Sequence, residues 1–263
     1  MESRFCRNCG TWLSLSGPSR DLEGFAEIQT SRISLAKSRE SEVQRRLEDL
    51  TKNMSKYLDA FERLCPFNYE QWRLHIQTIS LRRKLDGVSA SLRNFDFINN
   101  LWRTLISWGL YRGASLFPPK EFRKVLLENE NEISALEDLR IDDEDLSVEE
   151  TAKTIWGLID KVRVSNAYNP IVSGSKAFHH LLPELIPPID REYTRPFFMF
   201  WSQVFQNNPQ KAFLYIWEKF ALIARSTNLE RYINRARWNT SITKIIDNAI
   251  IGYCKCRDIP KLR

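Results

Sequence analysis

Four cysteines near the two ends of the chain carry the most metal-like pattern. Cys6 and Cys9 are separated by two residues and followed by Gly10. Two thiolates at that spacing can hold one tetrahedral ion, and a glycine beside the second frees backbone N–H groups to face sulfur. A structural Zn2+ takes four ligands, and no second CxxC lies nearby. Cys254 and Cys256 could complete the set if the termini meet, with Lys255 and Arg257 offsetting thiolate charge. An iron–sulfur cluster is the other four-cysteine reading. The plainer one makes Cys254 a core thiol and Cys256 a surface thiol. Cys65, alone before Pro66, reads as a buried structural residue.

A second constellation lies between Ile171 and Trp201. It runs Val172-Ser173-Gly174-Ser175-Lys176-Ala177-Phe178-His179-His180, then Pro187-Pro188-Ile189-Asp190-Arg191. Here the sequence resembles the helix-hairpin-helix DNA glycosylase superfamily. That family places a glycine-containing hairpin turn before a helix that opens near a lysine in its lyase members, and ends a downstream loop in Pro-x-Asp. The resemblance covers about 30 residues and puts Gly174-Ser175-Lys176 at the hairpin and Pro188-Ile189-Asp190 at the aspartate. It implies N–H groups of Gly174 and Ser175 on a phosphate, supported by Arg191. It implies Lys176 as an amine that attacks a sugar carbon, and Asp190 as a base or a stabiliser of positive charge. An extruded base would need aromatic walls, for which Phe178, Tyr193, Phe197 and Trp201 are at hand. On the same residues a bland reading stays open: Lys176 solvated in a first turn, and Asp190 a helix N-cap. The neighbours His179 and His180 point in different directions on a helix, one inward and one toward a cleft.

Arg231, Arg235 and Arg237, interleaved with Tyr232 and Trp238, form a basic-aromatic segment that can grip a nucleic-acid backbone or simply be a solvated face. The net charge of +6 permits a polyanionic partner without demanding one. No Walker-type phosphate loop, HExxH or Gly-x-Ser-x-Gly occurs, so the chain offers no motif for nucleotide hydrolysis, zincin chemistry or a serine elbow.

The elements that must position these residues read as helices. Glycine numbers only nine, which disfavours tight turns and hairpins, while eight Trp and fifteen Phe supply core volume. Val43, Leu47, Leu50, Met54, Tyr57, Leu58 and Phe61 lay one apolar stripe along a long helix that Pro66 ends. Further helices are expected over 69–85, 91–110, 120–139, 147–164, 173–182, 190–205, 209–225 and 240–253. Ser147 with Glu150 suggests a capping box for the fourth of these. The fold class is therefore all-α: a multi-helix globular domain with a small cysteine-bearing N-terminal segment. Residues 1–37 form a CxxC knuckle and linker, and 38–263 the helical domain, its glycosylase-like portion about 91–263. No segment has the roughly 18 apolar residues of a bilayer span, and no apolar signal core follows Met1, so a cytoplasmic location is expected.

Two functions follow. One is a DNA-interacting protein with a glycosylase-like core and a base-excision or lyase-type activity. The other is a non-catalytic scaffold with a zinc knuckle, binding a protein partner through the long N-terminal helix. The first expects Lys176 and Asp190 in one aromatic-walled cleft; the second expects Asp190 as a cap and Lys176 in open solvent.

Overall fold

A computed structural model describes residues 3–5, 12–14, 37–110, 116–200, 205 and 207–259. It divides into two compact units, 1–45 and 46–263. In the first, strands β1 (Ser3–Phe5) and β2 (Trp12–Ser14) pair antiparallel, with Ser3 opposite Ser14 and Phe5 opposite Trp12. Cys6, Cys9 and Gly10 lie outside the described residues, as does Trp201.

The described residues of the second unit form helices joined by turns and loops, with one isolated bridge between Leu116 and Ser165. Helix α1 (37–52), whose residues 37–45 fall in the first unit, leads through a turn at Asn53 into α2 (Met54–Leu64). The expected long helix is thus interrupted at Asn53, although bonds from Asn53 N to Asp49 O and from Tyr57 N to Asn53 O keep the direction. Helix α3 is Tyr69–Lys84, opened by a full capping box between Asn68 and Gln71. The helix expected over 91–110 is two, α4 (Gly87–Arg93) and α5 (Phe95–Ser107), because the Asn94 side chain caps the second by accepting from Phe97 N. The one expected over 120–139 is likewise α6 (Pro119–Leu127) and α7 (Glu130–Ser134). Helix α8 is Val148–Lys161; Ser147 stands at its N-cap position, but its side chain makes no cap bond, so the expected box is not formed. Then come α9 (Ile171–Leu181), the single turn α10 (Thr194–Phe197), α11 (Pro209–Ser226) and α12 (Ile242–Cys256).

Helix α12 is the axis of this unit. Its residues from Ile242 to Cys254 are all buried, including Lys244, Asp247 and Asn248. A helix enclosed on every side is ordinarily apolar all round, so these three polar groups need partners. The tightest neighbour of α12 is α2. Gly252 lets the backbones approach so closely that a β-carbon there would sit 1.9 Å from the Tyr57 carbonyl oxygen. Tyr57 and Tyr253 then pack with ring centroids 4.9 Å apart. Among the described residues no helix is long and apolar enough to cross a membrane.

Candidate functional site: a buried lysine, a histidine relay and an aromatic pocket

The close approach of α2 to α12 places Lys244 among aromatic residues of α2, of the loop after it, of the end of α5 and of the segment before α12. Its Nζ is buried and lies over four rings, those of Phe61, Phe67, Trp108 and Trp238, at 5.3–5.9 Å from their centroids. It donates to Asp247 Oδ2 at 2.5 Å and to Asn248 Oδ1 at 2.7 Å. An ion held this far from water needs both its counter-charge and its hydrogen bonds. Burial pushes the Asp247 carboxyl up, Lys244 pulls it down, and Asp190 adds a smaller upward push. Pairs of this kind add little net stability compared with apolar packing, which makes their position the informative property.

Three histidines converge beside this pair. His75 comes from α3, and His179 and His180 from α9; all are fully buried. Their partners dictate the tautomers. His180 Nδ1 faces the Lys176 carbonyl at 2.8 Å, which can only accept, so that nitrogen carries the proton. His180 Nε2 therefore accepts from His75 Nδ1 at 3.1 Å, and His75 Nε2 accepts from the Thr240 hydroxyl at 3.1 Å. The relay runs in one direction, from Thr240 to the Lys176 carbonyl, with both rings neutral. Burial lowers the proton affinity of all three histidines, that of His180 to about 4. His179 donates from Nδ1 to Ile186 O at 2.9 Å, and its buried Nε2 has no partner among the described residues. The expectation that one of the α9 pair faces a cleft is corrected: both are interior. No group of three His, Cys, Asp or Glu suited to a metal occurs among the described residues.

A pocket of about 400 Å³ opens on the far side of Trp238. Phe61, Trp72 and Trp238 line it together with Cys65 and Asn239, and Glu62, Ala236 and Arg237 complete the lining. Tyr69, 70% exposed, packs on Trp72 with centroids 5.3 Å apart. Asn239 joins this pocket to the buried lysine, because Asn248 Nδ2 donates to Asn239 Oδ1 at 2.8 Å.

The glycosylase-like residues fall out differently from their sequence positions. Gly174 occupies no hairpin turn. It lies within α9, its N–H donates to Pro170 O at 2.7 Å, and a β-carbon there would meet Ile159 Cγ2 of α8 at 2.6 Å. The glycine serves helix packing, so its N–H is not offered to a phosphate. Ser175 is buried too, its hydroxyl accepting from Ile189 N at 3.1 Å. Asp190 caps the next turn: Oδ1 accepts from the N–H groups of Glu192, Tyr193 and Thr194 at 2.7–3.0 Å. Lys176 is half-buried, neither in open solvent nor in the pocket lining. Its Nζ lies over the Trp108 ring at 5.7 Å and donates to Trp108 O at 3.4 Å. Burial lowers its proton affinity, while Asp190 and Asp247 oppose the loss of charge. Phe178, Tyr193 and Phe197 are core residues, and the aromatic walls come instead from α2, α3 and the segment before α12.

Of the basic residues, Arg191, Arg231, Arg235 and Arg237 are all exposed. Arg231 folds over the Tyr232 ring at 4.7 Å, and Arg237 pairs with Glu62 at 3.1 Å on the pocket edge. Arg83, its proton affinity lowered first by burial and then by Arg235, marks where two cations are held together. Cys254 is buried, with its thiol pushed up to about 12 by burial, whereas Cys256 two residues on is exposed. Residues two apart on a helix face opposite sides, so the structure does not aim these two thiols at one ion.

Two signals for this site were present in the sequence but carry no motif: Lys244 and Asp247 one helical turn apart, and His75 alone on a helix. Comparison with protein-family models, with curated proteins and with solved structures returns no match for this chain.

Proposed function

We propose that this chain acts on DNA, with the Lys176 amine as the nucleophile of a lyase-type step on a sugar aldehyde. The observation that supports it is the environment of Lys176: a half-buried residue whose amine is drawn out of water against Trp108, with the carboxylates of Asp190 and Asp247 near enough to act on it. Desolvation raises the fraction of neutral amine, which is the nucleophilic form. The neutral nitrogen adds to the aldehyde carbon, water leaves, and an imine joins the lysine to the sugar. Asp190, anchored by its three cap bonds, contributes a fixed negative charge beside the iminium. The exposed Arg231, Arg235 and Arg237 offer contacts for the phosphate backbone.

Borohydride reduction in the presence of abasic DNA is expected to give a covalent protein–DNA adduct that Lys176→Ala loses and Lys244→Ala keeps. An absent adduct, or one equally strong in Lys176→Ala, sinks the reading. The scaffold alternative draws on the capping geometry of Asp190, and it is the reading left standing if no adduct forms.

A further inference from the structure

The pocket beside Trp238 has a polarity that can be worked out from the buried lysine. An ammonium has protons to give and no lone pair. Lys244 therefore donates to Asn248, which fixes the oxygen of that amide on the lysine side. The nitrogen of Asn248 then faces Asn239 and fixes the oxygen of the second amide in turn. What remains of Asn239 is its NH2 group, for which no protein acceptor exists among the described residues. Asn239 lines the pocket. A buried positive charge thus dictates, through two amides, that the amide group left for a ligand is a donor.

The rest of the lining suits a flat ring. Trp72 and Trp238 are half-buried in that lining beside the buried Phe61, and Tyr69, outside it, lies exposed against Trp72. Arg237 belongs to the pocket lining, and Arg235 and Arg231 are exposed in the same segment of chain. Aromatic faces beside a basic track are how proteins hold unpaired bases, with the rings stacking and the cations following the backbone. We infer that the pocket walled by Phe61, Trp72 and Trp238 takes one unpaired nucleobase of a single strand, and that the Asn239 amide donates to a carbonyl on its edge. This rests on the nucleic-acid reading above but not on Lys176. The pocket selects a keto edge over an amino edge, because an exocyclic amine would bring a second donor against the Asn239 NH2.

Binding of short single strands of deoxythymidine and of deoxyadenosine, followed by tryptophan fluorescence, tests this. A thymidine strand is also the less self-stacked and more flexible of the two, so the edge contact is read from how Asn239→Asp changes the preference. Wild type is expected to prefer the thymidine strand. Asn239→Asp keeps an oxygen for Asn248 and replaces the donor by an acceptor, so it should weaken thymidine binding roughly tenfold and reverse the preference. Trp72→Ala should weaken both strands by a similar factor. Equal or greater affinity for deoxyadenosine in wild type overturns the inference, as does an Asn239→Asp variant that binds like wild type. Borohydride trapping reports separately on Lys176: an adduct without thymidine preference removes this inference alone, and thymidine preference without an adduct removes the lyase step alone.

Discussion

Gly252→Ala is expected to be among the most damaging single substitutions in the helical unit. The added carbon would stand 1.9 Å from the Tyr57 carbonyl oxygen, 2.8 Å from the Tyr57 carbonyl carbon and 3.0 Å from Phe61 N. All three are backbone atoms, so no rotamer change relieves the contact and α2 must move off α12. Overpacking a core costs about 1–3 kcal/mol where side chains can adjust, and more is expected where they cannot. Alanine returns up to ~1 kcal/mol through its better helix propensity, which does not offset a backbone collision. A loss of roughly 3 kcal/mol or more follows, a large part of the ~5–15 kcal/mol of a typical domain. The matched control is Gly157→Ala on α8, where a β-carbon meets nothing within 4 Å; it should be neutral or stabilising by up to ~1 kcal/mol. Urea midpoints of the two variants settle the matter. A Gly252→Ala midpoint equal to that of wild type would show that the helices are not in such close contact. The consequence reaches the site, since Phe61 and Lys244 sit on these two helices.

The second large effect is acid destabilisation. His180 has its proton affinity lowered to about 4, first by burial, while an unfolded histidine titrates near 6.5. The sign follows from which state binds the proton. Above 6.5 both states are neutral and stability is intact. As pH falls through 6.5 the unfolded chain takes up protons that the folded one refuses, and stability drops until about 4, where the folded ring also charges. At pH 5 His180 alone should cost about 2 kcal/mol. His75 and His179 lie well below their ordinary value for the same reason and add to the loss. The geometry explains the resistance. A proton on His180 Nε2 would meet the N–H of His75 Nδ1, setting donor against donor in the core. Denaturation at pH 7.5 and pH 5.0 should therefore show a marked fall in stability, reduced in His180→Gln. Equal stability at the two pH values, or histidine ring signals titrating near 6.5, would contradict the neutral relay.

How far the sequence foretold the site differs from residue to residue. Asp190 was readable as a capping residue because capping is local, a side chain reaching the N–H groups two to four residues ahead, although what it caps is the turn before α10, whose own N-cap position is Tyr193. The ends of α3 were readable for the same reason, with Pro66 before it and Asp86-Gly87 after. Gly174 was misplaced because a glycine in isolation fits equally a turn and a tight helix contact, and only Ile159 of α8, lying against it, separates the two. The histidine relay was invisible. His75 meets His180 across 105 residues and Thr240 across 165, and no spacing rule in a single chain reports such distances. Likewise the pocket walls come from Phe61, Trp72 and Trp238, whereas the nearer aromatics Phe178 and Phe197 were consumed by the core.

Taken by itself, the sequence missed the breaks at Asn53, at Asn94 and between Leu127 and Glu130, but it determined that the body of this protein is helical, where α3, α8 and α11 begin and end to within a few residues, and which faces are apolar. Those follow from periodicity, proline, glycine and capping, all of which act over a turn or two of chain. The tertiary structure decided which faces meet. A close approach at Gly252 brings Phe61 over Lys244, which orients Asn248 and Asn239 toward the pocket, and α9 delivers Lys176, His179 and His180 to the same place. Those juxtapositions depend on packing between helices distant in sequence, where shape and burial, not local preference, choose the partner.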